Sequence, residues 1–95
     1  MTRDLDYSPR FEKDFARIHK SQYAHIFVAN AEFDQVLDLL KTDQLLPQKN
    51  RDHKLKGEWI GCRACHIKPD LVLIYEQTKD GILALYRLGT HSEVY

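Results

Sequence analysis

Apolar residues recur along this chain with two different periods, and the change of period falls just past its middle. Phe11, Phe15 and Ile18 stand four and three residues apart, which places them on one face of a helix. Ahead of them Ser8-Pro9 supplies a hydroxyl that can accept free amides and a proline where the first turn misses no donor. A first helix is predicted over residues 8–20. Ile26, Ala29, Phe33, Val36, Leu37 and Leu40 continue the helical spacing, and Thr42-Asp43 with Pro47 beyond provides a stop. A second helix over residues 22–41 would follow the first after only a few residues, so the two should form an antiparallel hairpin.

Beyond Pro47 the helical period is lost. Residues 59–67, 71–77 and 82–88 are short runs rich in β-formers, separated by Lys68-Pro69-Asp70 and Lys79-Asp80-Gly81. Asp-Gly between apolar runs marks a tight hairpin, because such turns need positive φ. A three-stranded antiparallel meander follows, with residues 4–7 as a further strand at an edge. The predicted fold is an α+β domain of order β-α-α-β-β-β spanning residues 1–95, its antiparallel sheet carrying the helical hairpin on one face. If Asp80-Gly81 are the two turn residues, Tyr75 opposes Tyr86, Ile74 opposes Arg87 and Asp70 opposes His91, so Asp70, Arg87 and His91 gather at one end of one face. A two-residue turn at Pro69-Asp70 would turn His66 away from Asp70, whereas a three-residue loop over 68–70 would bring the two together.

Composition narrows the class. With 95 residues, 43% apolar and 29% charged, the chain has the balance of one globular domain. Its longest apolar runs, 71–75 and 82–86, fall far short of the roughly 20 residues of a membrane-spanning helix. The first residues lack the basic start and apolar stretch of a signal peptide, so a cytoplasmic protein with no membrane partner is expected. Net charge is zero, yet unevenly spread: residues 1–45 hold six Lys and Arg against eight Asp and Glu, and residues 46–95 hold eight against six. Residues 47–56 alone carry four basic side chains and one acid, a local patch able to meet phosphates.

Two clusters could carry chemistry. Cys62-Arg63-Ala64-Cys65-His66 matches the C-x-x-C-H pattern of c-type haem attachment. In a strand, however, positions three apart face opposite ways, and the only methionine is Met1, so no haem, zinc or other cofactor is expected and the thiols are read as structural. The second cluster is His53, His66 and His91 with Asp70, Arg63 and Arg87, in or beside the basic segment. Imidazoles that titrate near neutrality and fixed cations that hold phosphate oxygens form the set that phosphoryl chemistry on RNA requires.

The composite of Asp52-His53-Lys54-Leu55-Lys56-Gly57, His66-Ile67-Lys68-Pro69-Asp70 and Arg87-Leu88-Gly89-Thr90-His91, dense from Pro47 to Tyr95, resembles the YafQ branch of the RelE/ParE toxin superfamily. The resemblance implies a bacterial toxin, neutralised by a cognate antitoxin, that cleaves messenger RNA on the ribosome without a metal. It also implies active-site histidines at His53, His66 and His91, an acid at Asp70, a phosphate-binding arginine at Arg87 and a terminal aromatic at Tyr95. Lys54, Lys56 and Arg63 complete the expected substrate contacts. Close members of the family often carry Trp after the acid, where this chain has Leu71. Asp70 should favour a protonated His91, suiting it to the acid role and leaving His53 or His66 as base. Two other readings share the fold or the composition: a ParE-like gyrase poison, which would lack this histidine set, and a non-enzymatic RNA- or protein-binding module.

Overall fold

In the computed structural model, which describes residues 2–95, a five-stranded sheet carries helices on one face and a short C-terminal turn on the other. The elements are β1 (Asp4–Tyr7), α1 (Pro9–His19), a 3₁₀ turn (Ala24–Phe27), α2 (Glu32–Lys41), β2 (His53–Lys54), β3 (Arg63–Lys68), β4 (Leu71–Gln77), β5 (Ile82–Gly89) and α3 (His91–Val94), with further 3₁₀ turns at Gln48–Asn50 and Gly57–Trp59. Strand order is β1-β5-β4-β3-β2. The meander is antiparallel as expected, but β1 runs parallel to β5, making the sheet mixed. Its direction follows from α1, which begins two residues after β1 and packs back along β5.

The first helix starts where the sequence predicted, with the Ser8 hydroxyl accepting the Phe11 amide at 3.0 Å. The second is shorter than its apolar spacing implies. Val28 is extended, Asn30 takes a positive φ of 64°, and Ala31 is extended again, so the helix begins only at Glu32. Local side chains hold this break: Asp34 accepts the Asn30 amide at 3.1 Å and Gln35 donates to the Asn30 carbonyl at 2.8 Å. Ala29, counted on the helical face, lies exposed in that break.

Two cores sandwich the sheet. The larger joins Phe11, Ile18, Phe33, Val36, Leu37 and Leu40 of the helices to Cys65, Leu71, Leu73, Tyr75, Leu83, Leu85 and Leu88. The smaller, on the opposite face, joins Ala64, Val72, Ile74 and Val94, with Leu55, Trp59, Cys62 and Tyr86 packed against them. The second cluster anchors α3 over β4 and β5, and α3 carries His91.

Register in the last hairpin departs from the simple turn and then returns to it. Gln77 pairs with Leu83 and Tyr75 with Leu85, not Tyr86, because the loop takes three residues with Gly81 at φ 87°. A bulge between Ile74 and Tyr75 restores the offset, so Ile74 pairs with Arg87 and Val72 with Gly89 as predicted. A second bulge lies between His66 and Lys68. Lys68 pairs with Leu71 across a two-residue Pro69-Asp70 turn, and the irregularity at Ile67 returns His66 to the face that meets His91. Neither simple loop anticipated that combination.

Candidate active site

Four of the predicted residues, His66, Asp70, His91 and Tyr95, converge beside α3. The His91 ring donates from Nδ1 to an Asp70 carboxylate oxygen at 3.1 Å. Its centroid lies 5.0 Å from that of His66 and 5.7 Å from that of Tyr95. A capping box fixes α3 at this point: the Thr90 side chain accepts the Glu93 amide, and Glu93 Oε1 accepts the Thr90 amide at 2.8 Å. Buried Val94 then pins the turn to the sheet.

The hydrogen bonds set the tautomers. The His66 Nδ1 lies 3.1 Å from the Pro69 carbonyl, which can only accept, so in the neutral ring the proton sits on Nδ1 and Nε2 keeps its lone pair. His53 is arranged alike, its Nδ1 2.9 Å from the Arg51 carbonyl. His66 is buried and its carbonyl accepts from the Asn50 amide group at 2.7 Å, whereas His53 is exposed on the edge strand. His53 pairs with Ala64, so it projects from the same face as Ala64 and His66. The hydrogen bond from the His91 ring, then the His91 backbone amide, holds the Asp70 carboxyl below its ordinary range. Asp70 therefore stays ionised through mild acid and keeps accepting from His91.

Two predicted binding residues lie elsewhere. Arg63 pairs with Tyr75 and faces the helical side, where its Nη2 donates to Asp52 at 2.9 Å and its Nε spans both carboxylate oxygens. Tyr75 Oη donates to the same carboxylate at 2.5 Å. Arg63 is thus committed to a cluster on the opposite face from His66, as alternation along β3 requires. Lys54, opposite Arg63 on the edge strand, shares that orientation, while Lys56 is exposed in the following loop. Leu71, the residue after Asp70, is buried in the larger core and presents nothing to a base.

Arg87 is nearly buried and only partly available. Its Nε donates to Asp14 Oδ2 at 2.7 Å and its Nη2 to the Glu93 carbonyl at 3.2 Å and, at 3.4 Å, to Asp14 Oδ1. The Nε–Nη2 edge of the arginine expected to bind phosphate already grips a carboxylate, which leaves Nη1. Sequence reasoning missed Asp14, although a signal was present. Three residues after Phe11 and four before Ile18, it is a carboxylate on the apolar stripe of the first helix.

Asp14 is 3% exposed, yet fully bonded, since it also accepts the Leu88 amide at 3.0 Å and Arg17 Nη1 at 3.0 Å. Burial pushes its carboxyl up, but the bonds from Arg87, the Leu88 amide and Arg17 outweigh burial and hold it below the ordinary value. A carboxyl lowered by folding contributes stability that is complete above its unfolded value, about 3.9, and is lost as pH falls through the folded value. Stability should therefore decline below about pH 4, and Asp14→Asn should lower it at neutral pH while flattening that decline. Urea unfolding midpoints between about pH 2 and 7 measure both effects.

The two thiols occupy different environments. Cys65 is sealed in the larger core and Cys62 packs in the smaller, so the side chains are on opposite faces of the sheet. Burial raises both thiols above their ordinary range, which keeps them protonated. Among the described residues no group of three His, Cys, Asp or Glu is arranged to hold a metal ion. Cys62→Ser should leave activity and stability unchanged. Cys65→Ser should keep activity but cost about 1–3 kcal/mol by burying a hydroxyl, read as a lower melting temperature. Loss of activity in a folded variant would give the thiols chemistry, and a haem band or stoichiometric zinc in the purified protein would do the same.

No helix among the described residues is long and apolar enough to cross a membrane. Comparison with known proteins matches residues 3–95 to a family described as the bacterial toxin of type II toxin-antitoxin system, YafQ. The mRNA interferase toxin YafQ of Escherichia coli strain K12 is 34% identical over 93 residues, covering 98% of this chain and 96% of the relative. The crystal structure of the E. coli DinJ-YafQ toxin-antitoxin complex contains a chain 33% identical with a TM-score of 0.80, covering 100% of this chain and 99% of that one. A metal-bound toxin from Helicobacter pylori is 35% identical with a TM-score of 0.81, covering 98% and 99%. This chain, with the α+β fold and the histidine pair described above, belongs to the YafQ family of type II toxins.

Proposed function

We propose that the protein is the toxin of a type II pair and an endoribonuclease that cuts messenger RNA aligned on the ribosome. The observation that carries this reading is the pair of imidazoles 5.0 Å apart, one held by a carboxylate and the other by a backbone carbonyl. In the proposed reaction a ribose 2′-oxygen attacks the adjacent phosphorus and the bond to the 5′-oxygen breaks. The products are a 2′,3′-cyclic phosphate and a 5′-hydroxyl. His66 takes the 2′ proton on Nε2, which the bond from Nδ1 to Pro69 leaves free. His91 gives a proton to the departing 5′-oxygen, and Asp70 balances the charge of the doubly protonated ring. Arg87 offers Nη1 to a non-bridging oxygen as negative charge builds. His53 and Tyr95 flank the pair on the same face, where they meet the neighbouring nucleotide.

Alignment by the ribosome accounts for activity in a chain of zero net charge, because the entropic cost of in-line geometry is met by the decoding complex. The cognate antitoxin is proposed to act by covering this histidine face with an acidic or amphipathic segment. The test is parallel assay of purified protein on programmed ribosomes, on free RNA and on DNA gyrase. Cleavage on ribosomes leaving cyclic phosphate ends is expected; gyrase inhibition without cleavage would transfer the protein to the ParE-like reading, and inertness in all three arms would leave a binding module.

A further inference from the structure

Asp14 does more than balance a charge, because it joins α1 to β5 across more than seventy positions of sequence. One carboxylate from α1 accepts from the Arg87 side chain, from the Leu88 amide and from Arg17. Arg17 in turn donates from Nη2 to the Leu88 carbonyl at 3.2 Å, so two side chains of α1 hydrogen-bond the backbone of β5 beyond the stretch that β1 covers. Arg17 Nε also lies 3.3 Å from Glu93 Oε2, and Arg87 Nη2 reaches the Glu93 carbonyl. A side chain at Gly89 would come within 3.0 Å of both Arg17 Nη2 and Glu93 Oε1, so glycine permits this closure. The clasp therefore ties α1 to α3, the turn that carries His91.

The same bonds orient the guanidinium. Arg87 Nη1 makes no hydrogen bond, yet no buried side-chain nitrogen or oxygen among the described residues is left without a partner, so this nitrogen reaches solvent. We propose that Asp14 is a positioning residue for RNA cleavage: it clasps the Nε and Nη2 edge of Arg87 so that Nη1 alone is presented to the scissile phosphate. This inference rests on the proposed cleavage reaction.

The experiment compares wild type, Asp14→Asn and Asp14→Glu in single-turnover cleavage on programmed ribosomes. The messenger carries sulfur in place of either non-bridging oxygen at the scissile phosphate. A single aimed nitrogen should make wild type cut the two diastereomers at different rates. Asp14→Asn should slow the rate constant of the oxygen substrate by at least about 10-fold, short of the roughly 10²–10³-fold that deleting a charge-stabilising donor costs, and should bring the diastereomer ratio towards one. Asp14→Glu should recover part of both. A purely structural role would reduce the active fraction and leave the rate constant and ratio unchanged, and that result overturns the proposal. Should Asp14→Asn fail to fold, an unchanged ratio in folded Asp14→Glu overturns it equally. Uncut messenger with wild type, by contrast, overturns the functional reading itself.

Discussion

Replacing His91 with alanine is expected to slow single-turnover cleavage on programmed ribosomes by about 10²–10⁴-fold, the range for one lost proton transfer, and to leave the fold intact. The ring side chain is 47% exposed and touches Asp70, His66 and Tyr95, not the core. The cap of its helix belongs to Thr90 and Glu93, and the anchor to Val94, so neither is disturbed. Removing an exposed side chain of this kind changes stability by about 0.5 kcal/mol or less. Asp70→Asn should have a smaller effect in the same direction, because it keeps an oxygen for the His91 Nδ1 proton and loses only the balancing charge. Wild-type rates in His91→Ala, with melting unchanged, would remove the ring from the acid role.

The pairing of Asp70 with His91 was legible because strand register is arithmetic. Two departures intervened, a three-residue loop near Gly81 and a bulge beside Tyr75, and they cancelled before the end of the hairpin. His66 was less legible, since its position turns on one irregular residue at Ile67 that leaves no mark in the apolar pattern. The first helix was readable through Ser8 and its three apolar positions; the second failed where Asp34 and Gln35 bind the backbone of Asn30, a competition that spacing alone does not register. Arg63 was hard to place for a different reason. Its place beside the basic segment grouped it with the histidines, while strand alternation sends it to Asp52 on the other face. The partner of Arg87 is Asp14, 73 positions away, and no local motif could disclose that one edge of the guanidinium was already occupied.

Arg87→Lys is the substitution that separates charge from geometry. Arg87→Ala would strand the buried Asp14 carboxylate, at a cost of about 3–5 kcal/mol, a large part of the roughly 5–15 kcal/mol that holds a small domain together. Lysine retains the positive charge, but one ammonium cannot both replace the two-nitrogen clasp on Asp14 and the Glu93 carbonyl and project a further donor outward. The chemical step should therefore fall by about 10²–10³-fold. The half-saturating ribosome concentration should change little, since docking draws on the whole surface and the proposed contribution of Arg87 on one nitrogen. With wild type the rate should be bell-shaped in pH, because His66 must begin neutral and His91 charged; both limbs belong to the pair. Arg87→Lys should lower that bell without displacing either limb, as both limbs belong to the histidines. A rate flat from about pH 5 to 9, where imidazoles ordinarily titrate, would remove the histidine pair from the mechanism. An undiminished rate in Arg87→Lys would show that charge alone suffices at that position, whatever the fate of the histidines.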